Sequence, residues 1–250
     1  MYNSIKRKKL SGTISLLSVI ALSLILITSG SIIPSANAQL DNCYNLKSQT
    51  AFPVLLIHGW NEGLGGAFPI HFDEWEQHLS HDNIPYCIIS FEQSSDACGS
   101  AADHANELGQ IVKNIIDETG QDKVNIVGFS KGGLDARVYL SNNLTNSYVA
   151  NLIMVGTPNA GSLAIGNDEC SPGIVDLRPG SLATMARENP NTEYYTITGA
   201  CFLVGDGLVS TASVNSEDYF EPLGTSNSCH IDLLGDYEYE LAYDVLISEQ

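Results

Sequence analysis

A chain of 250 residues with 29 acidic and 11 basic side chains, a formal charge of −18, has the length of a single domain. Its charge excludes nucleic acid as a natural partner. No nucleotide-binding, haem or metalloprotease pattern occurs along it.

At the N-terminus, Lys6 to Lys9 are all basic and precede an apolar stretch from Ile14 to Ile27, followed by Ser35-Ala36-Asn37-Ala38. Basic start, apolar middle and small-residue end predict an export signal, residues 1–38, cut near Ala38. A retained anchor is the alternative, because the apolar run approaches spanning length, but the Ala-x-Ala site behind it favours cleavage. No later run is long and apolar enough to cross a bilayer, so no stable span is expected after cleavage. Cleavage removes four basic residues and no acidic ones, leaving residues 39–250 at −22. All six cysteines lie in this portion, an even number that implies up to three disulfides in an exported chain. None are spaced C-x-x-C, which argues against structural zinc.

From Gln39 to Ala51 the chain reads as a short, disordered lead. Strands are then expected at Val54 to Ile57, Tyr86 to Ser90, Val124 to Val127, Asn151 to Val155, Tyr194 to Thr198 and Tyr219 to Pro222. The Asp103 to Thr119 segment carries Leu108, Ile111, Val112, Ile115 and Ile116 on one helical face, with Gly120 as its stop. Alternating strands and helices predict an α/β fold, a mostly parallel sheet of about six strands covered on both faces. The unbroken apolar runs VNIV and NLIMV suit buried parallel strands. Gly161 to Pro190 breaks the alternation and reads either as a small lid or as a long crossover.

Gly128-Phe129-Ser130-Lys131-Gly132 is a G-x-S-x-G pattern between a buried strand and a helix, Leu134 to Leu140. Such a turn strains its central residue and needs neighbours without side chains, so it lifts the Ser130 hydroxyl above the sheet. A serine nucleophile needs a general base, and the base needs an orienting carboxylate. In this architecture the chain order is serine, acid, histidine, and His230 alone among six histidines follows Ser130. Asp206, in the glycine-flanked turn LVGDGLVS, is the expected acid, with Asp176 in reserve. The N–H groups of Lys131 and of Trp60, which follows His58-Gly59 at the end of the first strand, are the expected oxyanion donors. His58 is expected to hold its loop rather than act as a base, and the Trp60 side chain to line an acyl pocket or cover the core.

PVLLIHGW, VNIVGFSKGGLDAR, LIMVGTPNAGS, GDGLVS and CHIDLL, in this order from Pro53 to Leu234, resemble the α/β-hydrolase superfamily. The likeness is to its secreted lipases and esterases, including small triacylglycerol lipases and inositol-deacylase-like relatives. It implies an α/β-hydrolase fold with little or no lid, and ester hydrolysis through an acyl-enzyme on Ser130, His230 and Asp206. An ester or lipid substrate is implied and no cofactor. Phospholipases, lactonases, polyesterases and thioesterases share the triad, and a non-catalytic lipid- or glycan-binding protein on this fold is the rival of a different class. Phe129 and Lys131 replace the commoner His before, and Gln or Met after, the serine, which implies an altered pocket rim. Larger secreted lipases hold a structural calcium near the histidine loop, where Asp232 is the candidate ligand, helix capping being its other expected role. Cys201 and Cys229 flank the acid and histidine loops, so a bond between them is expected to hold both.

Overall fold

The computed structural model describes residues 40, 42–60, 72–91, 93–94, 99–145, 148–165 and 172–248. The expected export signal, Cys98 and Cys170 lie outside these residues.

Seven strands form one sheet: β1 (Cys43–Tyr44), β2 (Val54–Ile57), β3 (Tyr86–Ile89), β4 (Val124–Phe129), β5 (Val149–Val155), β6 (Glu193–Gly199) and β7 (Phe220–Ser226). Their spatial order is β1-β3-β2-β4-β5-β6-β7. All neighbours are parallel except β1, which runs antiparallel to β3. The helices are α1 (Asp73–His81), α2 (Ala101–Thr119), α3 (Lys131–Asn142), α4 (Pro172–Asp176), α5 (Thr211–Val214) and α6 (Asp236–Ile247).

Alternate residues of a strand face opposite sides, and the core divides accordingly. Leu55, Ile57, Ile126, Leu152 and Met154 face α2 and α3, where Leu108, Ile111, Val112 and Ile115 form the apolar stripe of α2. Leu56, Val127, Ile153, Val155 and Ile197 face the other way, onto Trp75 and Leu79 of α1 and Ala242 and Val245 of α6. Each large apolar side chain buried on these faces contributes about 1.5–3 kcal/mol. Helix α2 starts where Ser100 accepts a hydrogen bond from the Asp103 N–H, and it stops at Gly120, whose φ of 71° favours a residue without Cβ.

Two expectations about elements need correction. The lead before Ala51 is not a disordered one throughout, because Cys43 and Tyr44 pair with Cys87 and Tyr86, and a Cys43–Cys87 disulfide fixes that register. A two-residue strand is too short to leave a periodic trace. The last strand runs Phe220–Ser226 rather than ending at Pro222, with a register shift beyond Thr196 that leaves Leu223 as an extra residue. On an edge strand both a proline and a bulge are tolerated.

Candidate active site

Strand β4 ends in Phe129, and α3 begins at Lys131, leaving Ser130 alone to turn the chain. Its backbone takes φ 50° and ψ −120°, a conformation that costs a non-glycine residue on the order of 1–3 kcal/mol. The glycines around it are dictated by close approach. A Cβ on Gly128 would lie 2.6 Å from the Gly133 nitrogen, and one on Gly132 2.5 Å from the Ile57 carbonyl oxygen. The Ser130 N–H donates to the Val155 carbonyl at 2.8 Å, which ties the turn to the end of β5.

Three side chains from three loops form a hydrogen-bonded row at the carboxyl ends of the strands. Ser130 Oγ lies 2.9 Å from His230 Nε2, and His230 Nδ1 lies 2.7 Å from Asp206 Oδ2. Asp206 follows β6, and its second oxygen, Oδ1, accepts from the N–H groups of Leu208 at 2.9 Å and Val209 at 2.7 Å. With Oδ1 held by two donors, Oδ2 is left facing the imidazole. A carboxylate on Nδ1 keeps the proton there and the lone pair of Nε2 toward the serine. His230 opens a short 3-10 turn after β7, and its backbone N–H donates to the Asp206 carbonyl at 3.0 Å. The Cys201–Cys229 disulfide joins the same two loops. Asp206 and His230 are buried, at 2% and 6% exposure, so their hydrogen bonds are little weakened by water.

The two residues expected to supply oxyanion donors adjoin the Ser130 turn along the chain or through a chain neighbour. Lys131 is the first residue of α3, whose N–H has no intrahelical acceptor by construction. Trp60 follows Gly59, where a Cβ would come 3.0 Å from the Ser130 Cβ, so the end of β2 runs directly against the Ser130 turn. The Trp60 side chain packs with Ala101, Leu134, Leu177 and Ala183. His58 Nδ1 hydrogen bonds to the Gly59 carbonyl at 2.7 Å and steadies this loop.

Other expectations fail here. Asp176, the reserve acid, accepts from the Ala101 N–H at 2.6 Å, at the start of α2, and the carboxylate on His230 is Asp206. Burial pushes the Asp176 carboxyl above its ordinary range. Phe129 and Lys131 do not form a pocket rim: both are buried, Phe129 with its ring 5.0 Å from that of His230. Asp232 does not cap α6, whose N-cap is Gly235, with the Glu238 carboxylate accepting from the Gly235 N–H at 3.1 Å. Among the described residues no three His, Cys, Asp or Glu side chains converge to hold an ion.

Beside the Asp206 turn lies an apolar cavity of about 720 Å³, lined by Ala160, Leu163, Phe202, Val204, Leu208 and Val209 among others. Its rim exposes Leu163 and Val204 at 93% and 76%. Within the described part of the Gly161 to Pro190 excursion, Ile174, Leu177 and Ala183 are nearly inaccessible.

A parallel sheet with a strained serine turn, an acid loop and a histidine loop defines a class of fold, and the comparisons with known proteins agree with it. Residues 53–199 match the alpha/beta hydrolase fold family, and the chain belongs to it. Triacylglycerol lipases from Pseudarthrobacter phenanthrenivorans and Burkholderia plantarii are each 32% identical over 120 residues, covering 45% of this chain. The match spans about a third of the length of these relatives, 35% and 31% respectively. Among solved structures, the mature lipase BlEst2 of Bacillus licheniformis superposes with a TM-score of 0.65 at 22% identity, over 80% of this chain and 94% of that one. At that identity the superposition speaks for the fold alone.

Proposed function

We propose that this protein is a serine carboxylic ester hydrolase of the lipase and esterase type, exported through residues 1–38 and active as the domain spanning 39–250. The observation that carries the reading is the row Asp206–His230–Ser130, with contacts of 2.7 and 2.9 Å. In it, His230 Nε2 takes the Ser130 proton as the oxygen attacks the ester carbonyl, and Asp206 stabilises the imidazolium that forms. Negative charge developing on the carbonyl oxygen is met by the N–H groups of Trp60 and Lys131. Collapse of the tetrahedral species expels the alcohol, which receives the proton from His230. Water then repeats the sequence on the acyl-enzyme, releasing the carboxylic acid and restoring Ser130. None of these steps asks for a cofactor.

The cavity beside Asp206 supports an apolar acyl chain as the substrate's distinctive part. About 720 Å³ lies within the range of small-molecule pockets, and its lining is carbon-rich. Two triacylglycerol lipases among the relatives support the same class of substrate. Two disulfides among the described residues support an oxidising destination, as the N-terminal segment does.

The test is hydrolysis of a chromogenic ester series, acetate through palmitate, by the protein and by its Ser130→Ala variant, each with calcium and with chelator. The reading expects turnover that vanishes in the variant, survives chelation and peaks at a medium or long acyl chain. Equal inertness of both folded proteins on every ester would move the reading to a binding role.

A further inference from the structure

Behind the nucleophile turn sits a buried charged cluster that the proposed reaction does not use. Lys131, the residue after Ser130, is 2% exposed, and lysine is almost never so buried unless paired. Its ammonium donates to Asp135 Oδ1 at 2.6 Å, one helical turn on. His104 of α2 approaches the other carboxylate oxygen, Nδ1 to Oδ2, at 2.8 Å, and the same Nδ1 lies 3.1 Å from the ammonium. A carboxylate only accepts, so the ring proton sits on Nδ1, and the ammonium meets the imidazole as a neighbour rather than as its donor. Phe91 stacks on the His104 ring with centroids 4.0 Å apart, so the imidazole is itself held in place.

Two features make this more than a satisfied ion pair. First, replacing a buried pair of charges by apolar residues is often neutral or stabilising, so stability alone explains its presence poorly. Second, the nucleophile turn demands glycine at 132 and 133, where a Cβ would come 2.5 Å from the Ile57 carbonyl oxygen and 2.1 Å from Thr157 Oγ1. Of the first three residues of α3, Lys131 alone has a side chain with which to grip its surroundings, and its own N–H is one of the two oxyanion donors in the proposed mechanism.

We propose that Lys131 is a positioning residue: through Asp135 and His104 its side chain ties the first turn of α3 to α2 and keeps the Lys131 N–H aimed at the oxygen that gains charge. This rests on the reading of Ser130 as nucleophile. Oxyanion donors act only when preorganised, so a turn that drifts by a fraction of an ångström loses transition-state binding while substrate binding stays.

The experiment compares the wild-type protein with Asp135→Asn and with the double variant Lys131→Met/Asp135→Leu, which leaves no unpaired charge buried. Active sites are first counted by the burst from a p-nitrophenyl phosphonate. On p-nitrophenyl butyrate both variants should then show kcat per titrated site reduced about tenfold or more, with KM within about twofold of wild type. The inhibition constant of an alkylboronic acid, which binds serine as a tetrahedral anion, should weaken in step with kcat. Unchanged kcat per site and unchanged boronate inhibition, with only melting temperature or titratable fraction altered, would overturn the proposal. So would failure of both variants to fold, which would make the cluster a folding element. A wild-type protein that neither titrates nor turns over would instead defeat the hydrolase reading itself.

Discussion

Ser130 Oγ and His230 Nε2, 100 residues apart in the chain, stand 2.9 Å apart. The serine reaches that position only through a backbone at φ 50°, which stores strain in the fold. Ser130→Gly should therefore raise stability by on the order of 1 kcal/mol while abolishing ester hydrolysis. Ser130→Ala should abolish hydrolysis with no such gain. Denaturant melts of the three proteins check this, and a glycine variant less stable than the alanine one would contradict it.

Asp206 uses both carboxylate oxygens, Oδ1 for the Leu208 and Val209 N–H groups and Oδ2 for His230. An amide at 206 must turn its NH2 toward either the two backbone donors or the imidazole. Asp206→Asn is therefore expected to lower kcat by roughly 10³–10⁴-fold, with a smaller change in KM. Steady-state kinetics on a soluble ester measure the split.

The Cys201–Cys229 bond closes 28 residues of sequence between the acid and histidine loops, while Cys43–Cys87 closes 44 residues at the far edge of the sheet. Chain entropy makes the two bonds similar in worth, roughly 3.5–4 kcal/mol each. Their effects on activity should differ. Cys201→Ser/Cys229→Ser should lower both stability and kcat, whereas Cys43→Ser/Cys87→Ser should lower stability alone. Kinetics below the melting range of each variant separate the two.

Burial raises the phenols of Tyr139 and Tyr194 to about 12. Unfolded tyrosine titrates near 10, so the unfolded chain loses these protons first. Stability from this source is complete below pH 10 and lost as the pH rises toward 12. Tyr139→Phe should flatten the alkaline loss by about 2 kcal/mol in denaturant titrations between neutral pH and pH 12. At Asp135, burial raises the carboxyl, but the Lys131 ammonium and the His104 hydrogen bond outweigh it and hold it below its ordinary value of 3.8. Its contribution is therefore present above about pH 4 and lost on further acidification.

Most of the sheet was legible in the sequence because buried parallel strands read as unbroken apolar runs, as Val124 to Phe129 does, and the α2 stripe ends on a glycine. The fold also makes the serine turn legible, since a strand entering a helix this sharply leaves no room for a Cβ at positions 128, 132 and 133. What stayed hidden depends on long-range pairing. Cys43 and Tyr44 form a strand only because Cys87 and Tyr86 lie beside them. Helix α1 buries just Trp75 and Leu79 along an otherwise polar stretch, too thin a stripe to stand out. The burial of Lys131 is hidden because lysine is ordinarily solvated, and the one local sign of it is Asp135 four residues on. The choice of Asp206 over Asp176 rested on the two glycines beside it, and Gly205 and Gly207 do take φ of 157° and 99°.

Ester hydrolysis by this protein requires Ser130 to be a nucleophile activated by His230. The most direct measurement is reaction of the folded protein with a fluorophosphonate, followed by intact mass and peptide mapping. The expected result is one adduct per chain on Ser130, absent in Ser130→Ala and strongly slowed in His230→Ala. No adduct on the wild-type protein, or an adduct on another residue, would contradict the account.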